Sequence, residues 1–238
     1  DLFPSVCISG QLEALHQDPA QVARFIDFLR QPPKGALEAL AIKRCEFKVE
    51  RLQELQGLVA LYAGDVDQAE KLLGGLTTEP LPAEPFVART IDCHDCDAAA
   101  KHKPVTRAQF VKRLAVLSKE AATPGPKAAQ KHFELATGFY NMTWYGNARS
   151  VYVGTLFNPS APTHDVSLAF REYQLAAAAS KDPEFKARAT FMQAKCELAQ
   201  FYESRKDGDA RDFVAGPAFK ALVADSAKTA FFREALQE

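Results

Sequence analysis

Apolar residues recur along most of this chain at helical spacing and almost nowhere alternate every second residue. Asp18-Pro19-Ala20-Gln21 reads as a helix start: Asp18 suits the cap, Pro19 the first helical position and Gln21 the capping-box place. Val22, Phe25, Ile26 and Leu29 follow on one face, and Pro32-Pro33 stops the run. One long amphipathic helix is predicted over 36–63, its apolar face traced by Ile42, Leu52, Leu55, Leu58, Val59 and Tyr62. Gly64-Asp65 breaks it, and a shorter helix over 66–73 follows.

From 76 to 104 the helical period disappears, and Pro80, Pro82 and Pro85 favour extended backbone. Connections have a median of about 4–6 residues, so one this long is either functional or held by something other than helix. Helix resumes behind Thr106, with Gln109 three residues on as its capping-box partner, and runs to 122. Beyond the turn Thr123-Pro124-Gly125-Pro126, helices are predicted over 127–143, 146–157 and 165–180. Asp182-Pro183-Glu184 starts another to 203, Asp207-Gly208 turns the chain, and shorter helices over 210–214, 217–224 and 227–238 finish it. The expected fold is all-α in a single domain. Its N-terminal helices span about 11–75, an irregular loop spans 76–104, and C-terminal helices span 105–238.

Helical pairs joined by short turns are the mark of an α-solenoid, in which each pair buries its face on its neighbours. Gly57, Gly64-Asp65, Ala69 and Leu73 resemble the tetratricopeptide pattern, in which small residues let two helix backbones approach across a tight turn. Two partial matches follow: Leu135-Ala136, Phe139, Tyr145, Ala148 and Tyr152, then Ala169, Tyr173 and Ala176 leading to Asp182-Pro183. The spacing from Ala69 to Ala148 departs from the family's period of about 34 residues, and the 76–104 loop interrupts it. The resemblance implies a tetratricopeptide-like superhelix that binds a protein or peptide partner without catalysis. The chain is also similar to bacterial repeat proteins carrying a Cys-His-Asp-Cys-Asp stretch, which implies no particular activity. Family members that clamp acidic C-terminal peptides use Lys and Asn on their first helices; the stretches around Glu54 and Leu58, and around Phe133 and Thr137, lack them.

Composition narrows the partners. At 238 residues, 47% hydrophobic and 25% charged, the chain can bury a substantial core. Twenty-nine basic against thirty acidic residues leave a net charge of -1, which argues against a nucleic-acid surface. No apolar stretch approaches the roughly 20 residues needed to span a bilayer. Asp1-Leu2-Phe3-Pro4 is not a signal peptide, and Ala235-Leu236-Gln237-Glu238 stops in mid-pattern, so both ends read as cut or processed boundaries. Compartment stays open between the cytoplasm and a bacterial cell envelope, and oligomeric state is open too.

Two clusters could carry chemistry. Asp92-Cys93-His94-Asp95-Cys96-Asp97, with His102 nearby, places two thiolates within reach of one tetrahedral zinc, and a His could complete part of the shell. The candidate ligands are Cys93, His94, Cys96 and His102. Thiol redox chemistry and a purely structural loop are the alternatives; a second Cys-x-x-Cys for a four-thiolate site is absent, and the redox reading lacks its strand–helix context. Five cysteines make an odd set and not a disulfide framework; Cys45 and Cys196 fall in helical patterns, where Cys packs as a small hydrophobe. The second cluster is 139–149, where aromatic, amide and guanidinium groups suit peptide recognition through Tyr140, Asn141, Trp144, Asn147 and Arg149, with core and turn packing as the alternative. Arg107, Lys112 and Arg113 read as a solvated helix face. No phosphate loop, nucleophile elbow, zinc-protease pair or dinucleotide fingerprint appears, and the plentiful carboxylates are scattered, so no acid–base pair can be named.

Overall fold

The computed structural model describes residues 19–32, 35–45, 47–76, 80–91, 103–153, 161–205 and 212–235. Among them it is all-helical, with ten helices and no strand beyond one isolated bridge between Pro80 and Thr106. Helix α1 (Pro19–Arg30) buries Val22 and Ile26 one turn apart. Asp18, its expected cap, lies outside the described residues. The single helix expected over 36–63 is two. Helix α2 (Ala36–Cys45) buries no residue and leaves Leu37 and Leu40 exposed, whereas α3 (Val49–Tyr62) carries the core residues Leu52, Leu55, Leu58 and Leu61. The break coincides with a tertiary contact: Lys48 is extended, and Phe47 turns its ring edge-on to Phe25 of α1 at 4.9 Å. That aromatic contact replaces helical continuity.

Three helical hairpins follow. In the first, α3 meets α4 (Val66–Leu73) across a turn where Gly64 takes a left-handed φ of 85° and Asp65 caps the Gln68 N–H at 3.0 Å. In the second, α5 (Arg107–Ala121) starts on the complete Thr106–Gln109 capping box and meets α6 (Ala128–Asn141). In the third, α7 (Ser167–Ala179) meets α8 (Pro183–Ser204), which starts on Asp182 with Pro183 at its first turn. Two short helices, α9 (Pro217–Ser226) and α10 (Ala230–Ala235), pack on α8. No helix forms over 212–214, where one was expected.

The helices from α3 to α9 pack chiefly on their predecessor and successor, and α1 packs on α3. Small residues mark the contacts. Gly57 faces Leu73 so closely that any β-carbon would overlap its Cγ, and Ala69, Ala136, Ala148, Ala169 and Ala176 are fully buried. Between α5 and α6, a β-carbon on Gly138 would lie 2.6 Å from Leu114 Cδ2 and 2.8 Å from Phe86 Cε1. Backbone proximity, set by what is missing from the side chain, orders the stack.

The helix expected over 146–157 does not form in its described part. After α6 the chain doubles back: the Ala148 N–H donates to the Asn141 carbonyl at 2.8 Å, and Gly146 lies against the Asn141 backbone where no β-carbon fits. Only a 3-10 turn, Arg149–Val151, is left. Ala148 and Tyr152 are buried, as their apolar character requires, but as parts of a plug and not as a helix face. Tyr152 packs edge-on to Tyr62 with centroids 6.0 Å apart, and the Tyr62 hydroxyl donates to the Met142 carbonyl. The turn thereby seals the C-terminal end of α3 against the end of α6.

Candidate functional site

The 80–91 segment, which bends at 82–83 and turns at 85–86, runs without helix as a strap across the stack. Its first end is pinned by the Leu81 N–H donating to the Val105 carbonyl at 2.8 Å, and Leu81, Ala83 and Pro85 are buried. Phe86 enters the gap above Gly138 and packs on Phe110, ring centroids 5.3 Å apart. Past Phe86, side chains hold the strap through its backbone. Asn141 Nδ2 donates to the Pro85 carbonyl at 3.0 Å and to the Val87 carbonyl at 2.9 Å. Asn147 Nδ2 reaches the Glu84 carbonyl at 3.4 Å, and Lys195 Nζ donates to the Arg89 carbonyl at 2.7 Å while lying over the Tyr140 ring.

The residues expected to bind a partner therefore divide. Tyr140 and Asn141 are 2% and 4% exposed, and with Asn147 they serve the chain's own strap. Trp144 is 44% exposed, with the Arg149 guanidinium 4.9 Å from its ring centroid. Its backbone N–H donates to the Thr163 carbonyl at 2.8 Å. An indole stacked under a guanidinium at the surface presents a flat apolar face and a cationic edge together.

Beside it lies a group with no adjacent signal in sequence. The His164 ring sits 5.5 Å from Trp144 and 6.1 Å from Tyr145, and His164 Nδ1 lies 2.9 Å from Glu203 Oε1. The Tyr145 hydroxyl donates to the same carboxylate oxygen at 2.7 Å. Burial, then the Glu203 hydrogen bond and charge, push the Tyr145 phenol well above its ordinary value, so it stays a donor. A second His–carboxylate pair, His132 Nδ1 to Glu172 Oε2 at 2.7 Å, ties α6 to α7. Arg171 also bonds that carboxylate at 2.9 Å, and Tyr173 donates to Thr137 Oγ1 at 3.1 Å nearby. The two His–carboxylate pairs join residues 40 and 39 apart in sequence (132 to 172, 164 to 203), which leaves no motif to find.

Arg107 is not on a solvated face. Its side chain is 12% exposed and pairs with the buried Glu54 of α3 through one nitrogen, while the other donates to the Ser150 carbonyl at 3.1 Å. Burial lowers the guanidinium's proton affinity and Glu54 opposes that shift. This pair clamps α3, α5 and the 149–151 turn together, so its role is structural.

The zinc candidates Cys93, His94 and Cys96, with His102, lie outside the described residues, and among the described residues no cluster of His, Cys, Asp or Glu is arranged to hold a metal. Cys45 is not the packed thiol the pattern predicts: it is in a disulfide. Cys196 does match that expectation, as a fully buried thiol. No helix among the described residues is long and apolar enough to cross a membrane. No family model, curated protein or solved structure matches this chain.

Proposed function

We propose that this chain is a non-catalytic scaffold of tetratricopeptide-like type that holds a protein or peptide partner, with Trp144 and Arg149 at the centre of the contact. The observation that carries this reading is the packing of successive helices on one another in chain order, with Gly57, Ala69, Ala136 and Ala169 at the contacts. Stacks of that kind offer extended surfaces. The hairpins begin at Val49, Arg107 and Ser167, wider than the family's period of about 34 residues; the strap and the turn over 142–153 lie in the intervals. The chain is thus a stack with inserts, in which Tyr140, Asn141 and Asn147 support the surface. A large exposed aromatic beside Arg is the composition that dominates binding energy at protein interfaces. The Cys45 disulfide favours an oxidising compartment, such as a bacterial envelope, over the cytoplasm.

A photo-crosslinking residue placed at position 144 tests the reading. The expected result is a covalent adduct with one protein, competed away by excess parent chain and lost on Arg149→Ala. Adducts scattered over many proteins at equal yield, insensitive to Arg149, would refute it.

A further inference from the structure

A cavity of about 380 Å³ opens where the far end of the strap meets α6, α8 and α10. Three phenyl rings and a thioether line it: Phe133 from α6, Phe191 and Met192 from α8, and Phe231 from α10. The strap adds Ala88 and Arg89, and α8 adds Arg188. The size falls in the usual range for a small-molecule site of roughly 300–1,000 Å³. An apolar cavity of about 150 Å³ is enough for one benzene ring, so this one has room for two fused rings.

The aromatic walls are held from behind. Phe133 packs against Tyr173 at 5.3 Å and Phe185 at 5.4 Å, and Phe191 meets Phe231 edge-on at 5.5 Å. Lys195 fixes the strap at the Arg89 carbonyl. All three lining phenyls are only partly buried, so they keep apolar surface for a ligand to cover. The charges at the cavity are answered within the protein. Arg188 lies over the Phe231 ring at 5.7 Å, and Glu184, one helical turn before it, attracts it. The same carboxylate accepts the Phe231 N–H at 3.0 Å and the Ala230 N–H at 2.8 Å, which fixes the start of α10. Arg89 is likewise engaged. A ligand anion would give up its hydration without meeting an open cation. A ligand cation would meet two guanidinium groups and no acid among the lining residues. What the walls favour is a π system. Phenyl rings and a thioether sulfur attract an aromatic ring more than a saturated one of the same size, and a guanidinium adds attraction to a ring face.

We infer that this cavity binds an uncharged small molecule with two fused aromatic rings, the rings lying among Phe133, Phe191, Met192 and Phe231. The inference does not depend on a partner at Trp144, which is not among the lining residues.

Equilibrium dialysis of the full chain at neutral pH against 2-naphthol, decahydro-2-naphthol and 2-naphthoate tests it. The three share a bicyclic outline; the second lacks the π system and the third carries a negative charge. 2-Naphthol should bind about two- to tenfold more tightly than the saturated alcohol, the worth of an aromatic contact beyond its buried area. It should also bind more tightly than the carboxylate. Ala88→Phe, which fills the cavity without removing a wall, should abolish binding of 2-naphthol. Phe191→Leu keeps an apolar side chain but removes one ring, and should narrow the gap between the two alcohols. Saturated alcohol or carboxylate bound as tightly as 2-naphthol, 2-naphthol binding unchanged by Ala88→Phe in a variant that melts like the parent, or no 2-naphthol retained at millimolar concentration would overturn the inference. If Ala88→Phe does not fold, an unchanged gap in Phe191→Leu overturns it instead.

Discussion

Asn141 is where the strap's attachment can be measured. Its amide donates two hydrogen bonds, to the Pro85 and Val87 carbonyls, from a side chain almost wholly buried. The two carbonyls are not equivalent. Val87 is exposed, so water can replace the amide there and only the net worth of the bond is lost, about 1 kcal/mol. Pro85 is buried, and its carbonyl would stay unsatisfied, costing roughly 1–3 kcal/mol. Asn141→Ala should therefore destabilise the fold by about 2–4 kcal/mol. Asn141→Asp keeps the shape but sets a carboxylate against two carbonyls, and should cost at least as much. Urea unfolding gives the free energy, and trypsin cleavage after Arg89 reports on the strap itself. Arg89 should become cleavable under native conditions in Asn141→Ala while the hairpins stay protected. A variant within about 0.5 kcal/mol of the parent, the range of an ordinary surface substitution, with Arg89 still protected, would refute the idea that this amide holds the strap.

Other consequences are open to measurement. Arg107→Met should cost about 3 kcal/mol, the low end for breaking a buried pair, because Arg51 also reaches Glu54 at 3.4 Å. Adding Glu54→Gln should recover most of that in urea unfolding, and failure to recover would refute a charge-based clamp. Tyr62, Tyr145 and Tyr152 all have phenols raised above 10.0, chiefly by burial. The neutral form is the one the fold favours, so their contribution is intact below pH 10 and is lost as pH rises through the folded values. Thermal melts should fall above pH 10 and fall less steeply in Tyr62→Phe; a slope unchanged by that substitution would contradict the assignment. Digestion without reductant should yield a cross-linked peptide containing Cys45. Full alkylation of all five cysteines in unreduced protein would exclude the disulfide. If the partner proves to be Cys93 or Cys96, the zinc set of Cys93, His94, Cys96 and His102 is ruled out; if not, elemental analysis decides it.

The sequence by itself determined the local signals. The Thr106–Gln109 capping box, Asp182-Pro183, Gly64-Asp65 and the proline-rich break after Leu73 all act within a few residues, and they place five helix starts or stops close to where they form. The same holds for Gly57 and Ala69, because a missing side chain at helical spacing announces a backbone contact whatever lies opposite. Tertiary structure decided everything that depends on a partner far along the chain. Phe47 left its helix for Phe25, Arg107 left solvent for Glu54, and Tyr145 and Ala148 became a plug in which the Ala148 N–H bonds the Asn141 carbonyl and the Tyr145 N–H bonds Thr143 Oγ1. The strap's hold on Asn141 and Lys195, the His164–Glu203–Tyr145 group and the Arg-rimmed cavity each join residues that are neighbours only after the helices have stacked. Hydrogen bonds and charges act over a few ångströms in space, and helical periodicity records only which face turns inward, not what it meets there.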